Sequence, residues 1–289
     1  MTTMSHPEIS LAFSPDSDDA FMFWPLLNGK IESGGIRFSH RRADTAALNR
    51  DAEVRGADVI ALSIAHYPAV SEQYMLLPHG ASVGRGYGPV VVAREAVELA
   101  SLRGKVIAIP GKQTTAFAVL RLLLSDFIPR EVSISPYSRM FDAVRTGEVD
   151  AALVIHEGRL TYEREGMKKV VDIGAKWSEL TGGLPLPLGG NAIARDLGAE
   201  MIARVSDLCR KSIAWGLAHR DEVIDALLSA ETRGDLPLDR ATLDRYLAMY
   251  ANADTLEMAD DSKRAVTELF TRMRACGALK REVVITYAP

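Results

Sequence analysis

Gly84-Arg85-Gly86-Tyr87-Gly88-Pro89-Val90-Val91-Val92-Ala93 sets a glycine- and proline-rich turn directly ahead of a short strand-forming run. The chain does the same again at Gly182-Gly183-Leu184-Pro185-Leu186-Pro187-Leu188-Gly189-Gly190, which leads into Asn191 to Ala194. Two such punctuated runs, with no disordered linker elsewhere, predict two passages between domains. A chain that leaves a domain and later returns builds one continuous domain inserted into a discontinuous one. The expected division is 1–93 with 192–289 as the larger, discontinuous domain and 94–191 as the smaller, inserted one. The cleft between them is a natural place to hold a ligand by hinge closure.

The flanking sequence gives the fold class. Ile9 to Phe13, Ile36 to Ser39, Val59 to Leu62, Lys105 to Ile109 and Ala151 to Ile155 have strand length and β-branched or aromatic character. Helical patterns at Ala20 to Leu27, Thr45 to Arg55, Thr115 to Ser125 and Met140 to Thr146 alternate with them. Alternation of this kind predicts α/β units with largely parallel sheets. From Leu197 onward the pattern is helical, with stripes at Met201, Val205, Leu208, Cys209, Ile213 and at Leu243, Tyr246, Leu247, Tyr250. A short strand at Val283 to Thr286 is expected to end this helical C-terminal region.

Composition excludes several partners. The 289 residues carry 34 Lys+Arg against 38 Asp+Glu, so 34 − 38 gives a net charge of −4. No basic excess exists to engage a phosphate backbone, so no nucleic acid partner is expected. The longest apolar runs fall far short of the roughly 20 residues of a membrane span. Met1 to Glu8 lacks a basic region followed by an apolar run, so no secretory signal is expected. Cys209 and Cys276 lie far apart in helical sequence and fit buried thiols in a reducing compartment, which makes the cytoplasm the expected location.

Polar residues cluster where strands end. Ser14-Pro15-Asp16-Ser17-Asp18-Asp19 joins the first strand to a helix. Ser and Asp there either cap the helix or, through Asp16 and Asp19, face the cleft and bind a substrate. A metal would need further ligands from elsewhere, and none is expected. The Gly84 to Pro89 loop is followed by a strand rather than a helix, which rejects dinucleotide binding and leaves Gly86 as tight backbone at the cleft mouth. Pro110-Gly111-Lys112-Gln113-Thr114-Thr115 lacks the P-loop pattern, yet Thr114 and Thr115 suit either capping or ligand contact. His156 closes the run Ala151 to Ile155 at a sheet's carboxyl edge, as a structural histidine or a general base. Asn49 and Ser63, taken alone, read as cap or turn residues.

Together these segments resemble the futalosine-pathway menaquinone biosynthesis enzymes. The resemblance rests on the Gly84 to Pro89 loop, the Pro110 to Phe117 turn, Val154-Ile155-His156-Glu157-Gly158-Arg159-Leu160-Thr161-Tyr162 and Leu184 to Gly190. It implies a two-domain α/β fold like the type II periplasmic binding proteins, with an interdomain cleft. It implies cleavage of cyclic dehypoxanthine futalosine to 1,4-dihydroxy-6-naphthoate without a cofactor, with His156 as proton acceptor and Asn49, Ser63, Thr114 and Thr115 at the ligand. The expected partner is a small-molecule carboxylate substrate, with a homodimer left open. The alternatives are a small-carboxylate solute-binding protein on the same fold and a relative of the pathway's chorismate dehydratase. The family usually reads Ser-Pro-Cys-Pro-Asn-Asp-Thr-Phe where this chain has Ser14-Pro15-Asp16-Ser17-Asp18-Asp19-Ala20-Phe21.

Overall fold

The computed structural model describes residues 7–230 and 238–289. Apolar strand runs collect in two sheets. The first contains β1 (Glu8–Phe13), β2 (Arg37–Arg42), β3 (Val59–Ser63), β4 (Tyr74–Leu76) and β5 (Ser82–Gly84). The second contains β6 (Val90–Ala93), β7 (Val106–Ile109), β8 (Ile128–Glu131), β9 (Ala151–Val154) and β10 (Lys168–Asp172). β11 (Leu186–Ala194) then rejoins the first.

The two sheets share one logic. In the first the order is β2-β1-β3-β11-β4, with β1 parallel to both neighbours and β11 antiparallel to β3, β4 and β5. In the second it is β10-β6-β9-β7-β8, with β7 parallel to both neighbours and β6 antiparallel to β9 and β10. The antiparallel strand in each case is the one arriving from the other sheet, because it enters from the opposite end.

The chain therefore leaves the first sheet between Gly84 and Val90 and returns between Thr181 and Leu186. The expected crossings near 93 and 191 lie a few residues too late, because Val90 to Ala93 already pairs in the second sheet and β11 begins at Leu186. Both turns punctuate the passage, but the strands after them belong to the sheet being entered. The predicted strand at Val283 to Thr286 is absent, and the nearest pairing is a single bridge one residue further on, Leu76 to Tyr287.

C-terminal helices cover the first sheet. In Ala199–Ala218 the predicted stripe turns inward, with Val205, Leu208, Cys209 and Ile213 all buried. Each such aliphatic side chain removed from water contributes about 1.5–3 kcal/mol before entropy is counted. This helix lies against Ser17–Leu27, where Pro25 interrupts the ladder and the Ser212 hydroxyl accepts from Leu26 N–H at 3.1 Å while donating to the Met22 carbonyl at 2.7 Å. A second cluster joins Ala20 and Phe21 to Val223, Ile224, Leu227, Leu243 and Leu247. Cys209 is buried, and burial pushes its thiol up to about 12, whereas Cys276 is exposed at a helix end, contrary to expectation. Among the described residues no helix is long and apolar enough to cross a membrane.

Candidate active site

Four parallel strands deliver their following residues to one cavity. Ser14 and Asp16 follow β1, Ser63 ends β3, Thr114 and Thr115 follow β7, and His156 follows β9. Carboxyl ends of parallel strands are where α/β sheets place ligand sites. Here two sheets point those ends at each other, and the cavity of about 730 Å³, open mouth included, lies between them.

The acidic turn does not cap its helix. Asp16 occupies the N-cap position of Ser17–Leu27 but makes no side-chain cap bond. The Ser17 N–H and hydroxyl instead donate to Oε1 of Glu157, at 2.9 and 2.6 Å, across 140 residues of sequence. Asp16 is 1 % exposed and pairs its Oδ2 with Nδ1 of His156. Asp19 accepts from the Ser14 N–H at 2.8 Å, and Asp18 accepts from the hydroxyls of Ser82 at 2.6 Å and Tyr246 at 3.1 Å. Burial, and after it the neighbouring Asp16 charge, raises the Asp18 carboxyl. Burial likewise pushes Asp19 up to about 7, with the Asp18 charge next in weight.

His156 stands in the left-handed region at φ 51°, one of two non-glycine residues there among the described residues. Such conformations persist only where the surroundings hold them, and they cluster at functional sites. Tyr137, fully buried, does the holding. Its hydroxyl donates to the Ile155 carbonyl and accepts the Ile155 N–H at 3.1 Å.

The threonines divide the two readings between them. Thr114 caps its helix, accepting from Phe117 N–H at 3.2 Å, while the Thr115 hydroxyl donates to the Leu188 carbonyl at 2.6 Å and accepts from Ala65 N–H at 3.0 Å. Thr115 thus ties the second sheet to the first. Both line the cavity.

Two expected site residues stand elsewhere. Asn49 is buried behind Ser63, accepting its N–H at 2.9 Å and donating to its hydroxyl at 3.1 Å, and does not reach the cavity. Gly86 is exposed on the crossing loop at φ 75°, outside the cavity wall. Its positive φ serves the turn. Ser82, Tyr246, Tyr250, Gly189 and Gly190 line the cavity without having been singled out as contacts. A helical stripe announces that Tyr246 and Tyr250 are covered, and only their hydroxyls hinted at something polar to meet. Burial holds both phenols above their ordinary value.

Donor atoms of Asp16, His156 and Glu157 lie within 4.8 Å of one another. That spacing suits a cation, but the imidazole nitrogen is paired with Asp16 and Glu157 is engaged by Ser17. A carboxylate behind an imidazole on the cavity wall is an arrangement that can move a proton.

Two lobes of like strand order, with a cavity at their strand ends, place the chain in the periplasmic-binding-protein-like fold class. The alkanesulfonate-binding protein SsuA from Xanthomonas axonopodis pv. citri, 16% identical, superposes with a TM-score of 0.73 over 97% of both chains. The chain belongs to the menaquinone biosynthesis family, whose model matches residues 9–275. It is 38% identical over 269 residues to a 1,4-dihydroxy-6-naphthoate synthase of Thermus thermophilus, covering 93% of this chain and 95% of that protein. A synthase of the same name from Streptomyces coelicolor is 37% identical, with 95% of each covered. A crystal structure from Archaeoglobus fulgidus, 40% identical, matches with a TM-score of 0.88 over 96% of this chain and 100% of that one.

Proposed function

We propose that this chain works in menaquinone biosynthesis as a 1,4-dihydroxy-6-naphthoate synthase. In this reading it is a cofactor-free cytoplasmic lyase that takes cyclic dehypoxanthine futalosine, removes a proton through His156, and cleaves the carbon skeleton to release 1,4-dihydroxy-6-naphthoate. The names borne by the Thermus and Streptomyces relatives support it. The observation that carries it is His156, held in a left-handed backbone on the cavity wall with Asp16 behind it.

Each wall residue then has a role. Nε2 of His156 accepts the substrate proton. Ser63 offers its hydroxyl to the substrate's oxygens, with Asn49 fixing its rotamer from behind, while Thr114 and Thr115, whose hydroxyl protons go to the Gly111 and Leu188 carbonyls, border the substrate. Asp19, pushed up to about 7, can hold a proton at neutral pH and donate it to a carboxylate oxygen. The lobes are taken as one unit of β1 to β5 with β11 and the C-terminal helices, and one of β6 to β10, moving about the two crossings.

The test is turnover of cyclic dehypoxanthine futalosine by purified protein, followed by mass spectrometry. A positioned base contributes roughly 10²–10⁴-fold. His156→Gln should lose that much while still binding the product. Undiminished turnover in His156→Gln would remove the base assignment, and binding without turnover in the unmodified chain would favour a solute-binding role.

A further inference from the structure

The proton acceptor and its carboxylate come from opposite sides of the cleft. Asp16 follows β1 of the first sheet, and His156 follows β9 of the second. The next residue on each side repeats the contact, Ser17 donating twice to Glu157. Two adjacent pairs, 16 with 156 and 17 with 157, therefore stitch the two loops together.

Both pairs are paid for by the helix they abut. Asp16 sits where a side chain would ordinarily satisfy the free N–H groups of Ser17–Leu27, and it does not do so. Glu157, 0 % exposed, supplies that acceptor from the other lobe. The helix end is completed, and the imidazole backed by a carboxylate, by one and the same approach of the lobes.

We propose that Asp16 is a positioning residue of a split base: it accepts Nδ1–H of His156 only when the lobes meet, so that Nε2 is aimed and basic only around enclosed substrate. The proposal rests on His156 being the base. In the step itself the substrate proton passes to Nε2, and the resulting imidazolium stays paired with the Asp16 carboxylate until the proton leaves to product or water. Ser17 and Glu157 act as the latch. The ionisable groups around the imidazole are Asp16, Asp18 and Asp19 from the first lobe, Glu157 beside it, and the Tyr246 and Tyr250 phenols from the C-terminal helices.

The test pairs kinetics with a readout that needs no turnover. In Asp16→Asn, kcat should fall about 10²–10³-fold with product affinity within about threefold, because the amide can neither fix the tautomer nor stabilise the imidazolium. The acid limb of its pH–rate profile should move to lower pH, since the carboxylate that favours the imidazolium has gone. Asp16→Glu should recover part of the rate. Independently, ¹⁵N NMR of histidine-labelled protein saturated with 1,4-dihydroxy-6-naphthoate, with the His156 signals identified by their loss in His156→Gln, should show the Nδ1–H tautomer in the parent chain and a mixture in Asp16→Asn. An Nε2–H tautomer in the parent chain, or a kcat for Asp16→Asn within about threefold of it, overturns the proposal. So does turnover that is lost to a chelator and restored by a divalent cation, which would make Asp16 a ligand. Failure of the parent chain to turn over cyclic dehypoxanthine futalosine would refute the functional reading alone, and the tautomer measurement would still decide the pairing.

Discussion

Tyr137→Phe removes one oxygen atom from the interior and is expected to cost both stability and rate. The hydroxyl is the partner of the N–H and the carbonyl of Ile155, and both residues are buried. Phenylalanine fills the same space, so no cavity opens. The cost is therefore that of leaving two buried backbone groups without this partner, about 1–3 kcal/mol each and about 2–6 kcal/mol together. In a chain of this size 1 kcal/mol moves the melting temperature by roughly 2–4 °C, which places the expected loss near 10 °C. The next residue along is His156 at φ 51°, whose conformation persists only while its neighbours hold it. Displacing a reacting group by about 1 Å costs up to about 10²-fold. The expected result in steady-state kinetics is a fall in kcat of about 10–100-fold with KM little changed. Differential scanning fluorimetry and initial rates on the same preparation suffice. A melting temperature within about 2 °C of the parent and a kcat within about twofold would show that Tyr137 braces nothing of consequence.

Asp19 holds its proton in the folded chain at pH values where an unfolded carboxyl, with an ordinary value of 3.8, has lost it. The folded state thus binds more protons between 3.8 and about 7, so the contribution of this group to stability falls as pH rises through that window. Asp19→Asn keeps an acceptor for Ser14 N–H, and its melting temperature relative to the parent should rise from about pH 5 to about pH 8; a flat difference would refute the shift. Asn49→Ala leaves Ser63 N–H and its hydroxyl without their partner, costing about 1–3 kcal/mol, and should raise KM more than it lowers kcat. The reverse pattern in steady-state kinetics would contradict a supporting role. Gly86→Ala meets nothing within 4 Å and should cost about 1 kcal/mol of left-handed strain with unchanged kcat. Gly174→Ala would set a Cβ 2.1 Å from the Tyr87 carbonyl, and soluble yield and melting temperature should both drop sharply.

Strands buried on both faces announce themselves, which is why Ile9 to Phe13, Val59 to Leu62, Val90 to Ala93 and Ala151 to Ile155 were legible as strands to within a residue or two. The three-residue β4 and β5 and the exposed β8 carry no such pattern and exist because a neighbour offers hydrogen bonds. Polar residues directly after strands were equally legible, and Ser63, Thr114, Thr115, Asp16, Asp19 and His156 do meet at one cavity. Their roles were less so. Nothing local tells that Asp16 leaves its own helix uncapped, because its partner and the substitute cap are about 140 positions away. Nor can helical spacing tell that Tyr246 and Tyr250 face a cavity rather than a sheet.

The returning strand has a consequence for how the molecule is made. β11 pairs Ile193 with Val59 and is the centre of the first sheet, joining β3 to β4 and β5. Pairings of such separation are slow to form, since the intervening chain must be closed into a loop before they reward it. During synthesis β1, β2 and β3 emerge early, yet β3 keeps an open edge until residue 194 has left the ribosome. An open edge whose first four residues, Val59 to Leu62, are apolar is a template for pairing with other chains. The β6 to β10 unit, whose strands are contiguous in the chain, is free to fold first. Chains stopped before residue 186 should therefore aggregate through β3, although every residue of the β6 to β10 sheet is already present.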